Sequence, residues 1–207
     1  MASSAASPVL VITGTSGEGK STLARRLAER VPELELAISA TTRPRRPGEE
    51  DGRDYWFLSD EEFDERLAED GFLEHVTLPW GEGYRSGTLW SELERITGRG
   101  RGRVPLLEIE TGGALAVRDR IPGAVTIFIT APSRDELEKR LRARATESEG
   151  EIDERLEIAD RQLQLEAEFD HKIVNDDLDR ALDELEEIVR GELQGAGTIG
   201  AHDSSTR

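Results

Sequence analysis

Short, unbroken apolar runs alternate along the chain with segments in which apolar residues recur every three or four positions. Three runs are rich in β-branched residues, which is typical of parallel strands buried on both faces; they fall at 9–12, 104–109 and 124–130. Shorter strands are predicted at 34–40 and 172–174, and helical spacing predicts helices at 20–31, 114–121, 154–168 and 178–193. Strands that alternate with helices predict an α/β fold, in which helices flank a parallel sheet.

Two segments interrupt this alternation, and we predict that both are insertions over the core. The first contains a polar loop, strands at 55–58 and 72–78, a helix after Ser59, and a helix at 88–96. The predicted domain spans 8–193, and its parts are a core at 8–37, 100–138 and 158–193, an inserted lobe at 38–99 and a lid at 139–157. Small and polar residues predict disorder at 1–7 and 194–207.

The first apolar run leads into the pattern G-x-x-x-x-G-K-S at 14–21 and then into a helix. Glycines in such a turn let backbone N–H groups converge on an anion, and the helix N-terminus adds a positive dipole. We therefore predict a site for the phosphates of a nucleotide, formed by Gly14, Thr15, Ser16, Gly17, Glu18, Gly19, Lys20, Ser21 and Thr22. In such a P-loop the lysine reaches the β- and γ-phosphates, and the hydroxyl of Ser21 binds Mg²⁺.

The charge of the chain narrows the possible partners. Acidic residues number 44 and basic residues 27, and the net charge of −17 argues against a nucleic-acid-binding surface. Because nucleotides are anions, we expect arginines to cluster in a cleft of an otherwise acidic protein. The chain has no cysteine for disulfides, no apolar run of about 18 residues that predicts a membrane span, and no signal-peptide pattern at its start. These features predict a cytoplasmic protein without a membrane partner.

A second motif lies in the first insertion. Residues 39–57 read S-A-T-T-R-P-R-R-P-G-E-E-D-G-R-D-Y-W-F, and G-F-L-E follows at 71–74. Together with the P-loop, I-F-I-T-A-P-S at 127–133, R-L-R-A-R at 140–144 and I-V-N-D-D-L at 173–178, this arrangement resembles the guanylate kinase family over residues 8–193. The resemblance implies a P-loop kinase core with an inserted GMP-binding lobe and a short lid, and the reaction ATP + GMP ⇌ ADP + GDP.

The residues of this second motif suit a nucleoside monophosphate. Arg43 and Arg46 lie three positions apart on a loop, so their guanidinium groups can clamp one phosphate. Tyr55 can add a hydroxyl donor, and Glu49 can orient the arginines. Guanine presents N1–H and N2–H₂ side by side, so one carboxylate can accept both. The resemblance assigns that role to Glu74, and it assigns donors to the base at Ser39 and Thr88.

The resemblance also assigns phosphate-binding arginines to the lid. Arg140 and Arg144 share one helix face at i, i+4, and Arg155 follows. Cations that arrive when a cleft closes can stabilise charge on the transferring phosphoryl group. Asn175 matches a family position near the adenine.

Two positions depart from the family pattern. The acidic pair at the end of a core strand, usually D-x-D or E-x-D, here is Glu108 and Glu110, both predicted to face GMP. The usual G-N-x-Y-G-T is lengthened by Arg85 and Ser86, and we still predict that Tyr84 contacts the GMP phosphate.

We predict a guanylate kinase, monomeric or homodimeric, whose catalytic residues are Lys20, Arg43, Arg140, Arg144 and Arg155, with Mg²⁺ as cofactor. Two alternatives stay open. A non-catalytic guanylate-kinase-like interaction module would commonly lack the P-loop lysine, which this chain retains. A P-loop kinase with another acceptor has support only from the Arg85-Ser86 insertion and from Glu110.

Overall fold

The computed structural model describes residues 8–15, 17–78, 83–98, 103–143 and 149–201. Its helices and strands, in chain order, are β1 (Leu10–Gly14), α1 (Lys20–Arg30), β2 (Leu34–Leu36), β3 (Ala40–Thr41), β4 (Trp56–Phe57), α2 (Asp60–Ala68), β5 (Phe72–Thr77), β6 (Arg85–Leu89), α3 (Trp90–Thr97), β7 (Val104–Glu108), α4 (Thr111–Arg120), β8 (Val125–Thr130), α5 (Arg134–Ala143), α6 (Glu149–Leu163), β9 (His171–Val174) and α7 (Leu178–Ala201). A short 3₁₀ turn at Glu166–Glu168 joins α6 to β9.

The core is a parallel sheet of five strands in the order β2-β7-β1-β8-β9. Its central strand β1 is buried throughout because alternate side chains pack on opposite faces. Leu10 and Ile12 pack with α1 and α7, whereas Val9 and Val11 pack with α3 and α4. Helices therefore cover both faces, and the α/β fold with a flanked parallel sheet is confirmed.

The inserted lobe has its own four-stranded sheet, in the order β4-β3-β6-β5. Phe63 of α2 is fully buried and stacks on Phe72 of β5, with ring centroids 4.4 Å apart. The helix α2 begins with the predicted capping box, in which Glu62 N–H donates to Ser59 Oγ and Ser59 N–H donates to Glu62. The lobe thus has a small hydrophobic core of its own.

Four predicted elements differ from the structure. The strand predicted at 34–40 divides into β2 and β3, which lie in different sheets, because the chain crosses here from the core to the lobe. The helix predicted at 88–96 begins only at Trp90, because the preceding residues pair with β5 as β6. The helix α6 begins before residue 154 and ends at Leu163. The helix α7 continues past residue 193 to Ala201, since no proline interrupts it.

The disorder predicted at 194–207 is wrong for the residues that α7 includes, up to Ala201, and the rest of that segment and the segment 1–7 fall outside the described residues. Within the described ranges, no helix combines the length and the apolar character that a bilayer crossing requires.

Candidate active site

A cleft of about 380 Å³ separates the P-loop from the inserted lobe. The carboxyl ends of β1 and β7 open into it, as expected for the ligand crevice of a parallel sheet. The predicted residues that line it are Gly17, Glu18, Gly19, Lys20, Ser21, Thr22, Ser39, Arg43, Arg46, Glu49, Tyr55, Glu74, Glu108 and Glu110. Two segments that α1 and β2 separate, the P-loop and the loop that begins at Thr41-Thr42-Arg43 (the Thr-Thr-Arg loop), therefore share one cavity.

The P-loop closes tightly against the sheet and against its own lysine. Gly14 has a φ of 137°, and a Cβ at this position would lie 2.0 Å from the carbonyl oxygen of Ile129. Gly19 adopts a left-handed φ of 76° as it leads into α1. The Lys20 ammonium donates to the carbonyls of Gly14 and Thr15, at 2.9 and 2.7 Å, so it lies at the centre of the loop. Ser16 lies outside the described residues.

Further polar side chains brace this loop. Ser21 Oγ donates to Glu108 Oε2 at 2.9 Å, which joins the start of α1 to the end of β7. Asn175 is buried, and its amide donates to the carbonyl oxygen of Glu18 at 2.7 Å. The Glu18 side chain is buried as well and accepts a hydrogen bond from Thr15 Oγ1 at 2.6 Å. Burial raises the pKa of Glu18, while the Thr15 and Ala131 hydrogen bonds and the charge of Arg140 oppose that shift.

The lobe wall of the cleft holds the phosphate-binding candidates. Arg43 donates to both carboxylate oxygens of Glu49, with Nη2 2.8 Å from Oε1 and Nη1 3.1 Å from Oε2. Its guanidinium also lies 5.2 Å from the ring centre of Tyr55. Glu49 further accepts the backbone N–H of Arg46 at 2.8 Å. Hydrogen bonds from Arg43 lower the pKa of Glu49, whereas burial raises the pKa of the Tyr55 hydroxyl.

The inner end of the cleft holds a buried carboxyl group. Glu74 of β5 is 4% exposed and accepts a hydrogen bond from Thr88 Oγ1 at 2.8 Å. Burial raises the pKa of Glu74 to about 7, and the nearby charge of Glu110 acts in the same direction. Gly113 of α4 lies against this carboxyl, because a Cβ there would be 2.4 Å from Glu74 Oε2. Sequence reasoning missed Gly113, since a glycine inside a helix carries no chemical signal of its own.

Glu110 faces the cleft beside the end of β7. Gln162 of α6 donates to its carboxylate at 3.0 Å, a contact for which the sequence gives no signal. Burial raises the pKa of Glu110, and the charges of Lys20 and Arg155 oppose that shift. The first lid arginine, Arg140, contacts two carboxylates, Glu136 at 3.3 Å and Glu18 at 3.5 Å. Arg144 lies outside the described residues.

In the lengthened hairpin, Ser86, one of the two additional residues, reaches the cleft. Ser86 pairs with Val76 and lines the cavity, whereas Tyr84, the predicted phosphate contact, does not line it. The two additional residues extend β6, and the alternation of the strand then turns Ser86 inward and Arg85 outward. Arg85 binds Asp60 and Asp64 of α2 on the outer surface of the lobe. The two inserted residues therefore become part of β6, and Arg85 forms ion pairs on the outer face of that strand.

Comparisons with known proteins agree with this architecture. A family model described as guanylate kinase matches residues 6–192. A curated guanylate kinase of Rubrobacter xylanophilus is 45% identical over 90% of this chain and 95% of its own length, and one of Synechococcus sp. strain CC9311 is 47% identical over 85% and 90%. The crystal structure of guanylate kinase from Anaplasma phagocytophilum superposes with a TM-score of 0.71 at 29% identity, over 90% of this chain and 86% of that one. The chain therefore belongs to the guanylate kinase family, as the P-loop and the Thr-Thr-Arg motif predict.

Proposed function

We propose that this protein transfers the γ-phosphoryl group of ATP to GMP and so forms ADP and GDP. The observation that carries this proposal is one cleft with a P-loop lysine at one end and a buried, guanine-compatible carboxyl group, Glu74, at the other. The curated relatives from Rubrobacter xylanophilus and Synechococcus sp. strain CC9311 are named guanylate kinases. Retention of Lys20 and Ser21 favours an enzyme over a non-catalytic interaction module.

The P-loop is the proposed donor site. Its backbone N–H groups and the N-terminus of α1 suit the ATP phosphates, and Lys20 is central enough to reach the β- and γ-phosphate oxygens. The oxygen donors nearby also fit Mg²⁺, since Ser21 Oγ and Glu108 Oε2 lie 2.9 Å apart at the mouth of the loop. Among the described residues no cluster of three or more carboxylates or histidines forms a metal cage, which suits an ion held mainly by phosphates and water.

One residue would bind that ion directly, and a second would orient its ligands. Ser21 would contribute its hydroxyl, and Glu108 would orient this hydroxyl and the water around the ion. When bound, Mg²⁺ neutralises negative charge on the β- and γ-phosphate oxygens.

The lobe is the proposed acceptor site. Arg43 and Arg46 would bind the GMP phosphate, with Tyr55 as a hydroxyl donor, and the bidentate contact with Glu49 already fixes the plane of the Arg43 guanidinium. At the other end, Glu74 would accept N1–H and N2–H₂ of guanine. Adenine has neither donor at these positions, so with AMP the buried carboxylate would keep its hydrogen bond from Thr88 but would lack both donors of the base.

Phosphoryl transfer then depends on the positioning of the two nucleotides and on the stabilisation of negative charge, and it needs no general base. The second pKa of a phosphate monoester is about 6, so the attacking GMP oxygen is mostly ionised at neutral pH. This oxygen forms a bond to the γ-phosphorus as the bond from that phosphorus to the β,γ-bridging oxygen breaks, and ADP leaves with the electron pair. Lys20 and the lid arginines Arg140, Arg144 and Arg155 would stabilise the charge on the transferring group. Closure of the lobes would keep water away from the γ-phosphate.

The direct test is the formation of ADP from Mg-ATP with GMP, AMP, CMP and UMP in turn. We expect GMP to be used with a kcat/KM about 1,000-fold or more above that of AMP, because the discrimination rests on unpaired buried polar groups. The variant K20A should lose about 1,000-fold in kcat. K172A, which removes an exposed lysine paired with Glu166, is the matched control and should keep wild-type activity. Turnover of another nucleotide in preference to GMP, or ATP binding without transfer, would refute the proposal.

A further inference from the structure

The P-loop of this protein carries an unusual buried charge. Glu18 occupies one of its variable positions, between Gly17 and Gly19, and its side chain is 1% exposed. A carboxylate in a phosphate-binding loop repels its ligand, and its burial is costly unless it is paired. The residue therefore needs a compensating contact beyond the turn itself.

The two oxygens of Glu18 have different surroundings. Oε1 accepts the hydroxyl of Thr15 at 2.6 Å, a contact within the loop. Oε2 is buried and accepts no well-aligned hydrogen bond from the described residues, and the backbone N–H of Ala131 makes only a weaker contact with the carboxylate, which lowers its pKa. It faces Nη1 of Arg140 at 3.5 Å, in an ion pair between the P-loop and α5.

Arg140 has a second acidic partner, but that partner does not connect α5 to the P-loop. Glu136 lies 3.3 Å from Nε of Arg140 and is one turn earlier on the same helix. A contact within one helix leaves the position of that helix relative to the P-loop undetermined, whereas the contact with Glu18 spans the two elements. A guanidinium has five N–H donors, so Arg140 can hold Glu18 and still donate to a phosphate oxygen.

We propose that Glu18 is a positioning residue for phosphoryl transfer: it holds the Arg140 guanidinium beside the P-loop, where the γ-phosphoryl group is transferred. The inference rests on the proposed kinase function, because it assigns Arg140 to the transferring group. The Glu18 side chain, which is 1% exposed, acts through the arginine, whereas its backbone belongs to the phosphate-binding loop. The preformed contact reduces the motion that Arg140 must make when ATP binds.

A double-mutant cycle in the ATP and GMP assay tests this inference. E18Q keeps the size of the side chain and its ability to accept from Thr15 but removes the charge that faces Arg140. We expect E18Q to lower kcat about tenfold with a nearly unchanged KM for GMP. R140A should lower kcat about 100-fold or more, and E18Q should cause no further loss in the R140A protein. E136Q is the matched control, because it alters the other partner of Arg140, and its kcat should stay within about twofold of wild type.

Several outcomes would overturn the inference. One is wild-type kcat, or an increased kcat, in E18Q. Another is the same fold loss from E18Q in the wild-type and R140A proteins, which would show that Glu18 acts on the P-loop alone. Thermal unfolding of each variant checks that it folds. If E18Q does not fold, E18D replaces it, since the shorter aspartate side chain also weakens the contact with Arg140 and should show the same coupling in the cycle. Absence of wild-type GMP phosphorylation would instead refute the proposed function, so the two failures are distinguishable.

Discussion

The clearest consequence of the structure is a pH dependence of GMP binding that originates at Glu74. Both donors of the guanine edge need acceptors, and only the ionised carboxylate can accept both. Burial raises the pKa of this carboxyl to about 7 in the nucleotide-free protein. At pH values below 7 the group is mostly protonated, so GMP binding must first remove a proton. The affinity for GMP should therefore fall as the pH decreases through 7, and E74Q should abolish this dependence.

The magnitude follows from the ionised fraction of Glu74. With a pKa of about 7, that fraction is about nine-tenths at pH 8 and about one-tenth at pH 6, so the dissociation constant should rise about tenfold between them. About twofold of this change should appear between pH 8 and pH 7. The GMP phosphate titrates with a pKa of about 6 and is nearly constant in the upper half of that interval. The change in affinity between pH 7 and pH 8 therefore reports the titration of Glu74 and not that of the GMP phosphate.

Isothermal titration calorimetry with GMP at pH 6, 7 and 8, at constant ionic strength, measures both the dissociation constant and the number of protons released on binding. Wild type should release about half a proton per GMP bound at pH 7, because about half of the Glu74 carboxyls are protonated there, and the dependence of the measured enthalpy on the buffer reports this release. E74Q should bind more weakly at pH 8, release no such proton, and show only the dependence that belongs to the phosphate. Equal pH dependence in the wild type and E74Q, or no proton release by the wild type at pH 7, would refute the assignment of this carboxyl to guanine.

Three further changes have definite expected outcomes. G113A places a methyl group 2.4 Å from Glu74 Oε2 and should raise the KM for GMP about tenfold, whereas G112A, with open space around its new Cβ, should behave as wild type in the same steady-state assay. E49Q weakens the bidentate contact that orients Arg43 and should raise the KM for GMP about fivefold with little change in kcat, and an unchanged KM would contradict this role. R85A removes two exposed ion pairs and a cation–π contact in the lobe, and urea unfolding should show a loss of about 1 kcal/mol with GMP selectivity unchanged.

The parts of the fold that could be predicted from the sequence are those specified by local patterns. The strand β1, the P-loop and α1 follow from an apolar run, spaced glycines and helical periodicity, all within about 25 consecutive residues. The division of the segment 34–40 could not be predicted, because its apolar residues do not tell which sheet each half joins. Ile38 lies at that crossing, and its N–H donates to the buried carboxylate of Glu92, which is distant in the sequence.

In the candidate site, too, residues that a local motif identifies could be predicted, whereas residues whose role depends on distant contacts could not. The arginines and carboxylates of the cleft could be named because their side chains carry recognisable chemistry at a characteristic spacing. Gly113 could not be found, because its contribution is the absence of a side chain beside Glu74. The position of Ser86 in the cleft wall, where Tyr84 is predicted to lie, depends on the register between β5 and β6, which the length of the insertion alone does not determine.

The structure also explains how a chain with a net charge of −17 can offer a site for two anions. Lys20, Arg43 and Arg46 line one cleft, and Arg140 lies beside the P-loop. Carboxylates pair with two of these cations: Glu49 with Arg43, and Glu18 with Arg140. These carboxylates reduce the mutual repulsion of the clustered cations and hold each guanidinium in a defined orientation. A phosphate that enters the cleft can then use donors that are already directed, so the acidic residues near the site support anion binding instead of opposing it. Glu74 differs from them, because among the described residues its hydrogen-bond donor is the neutral Thr88, and the donors of the base that it is proposed to select would supply its further partners.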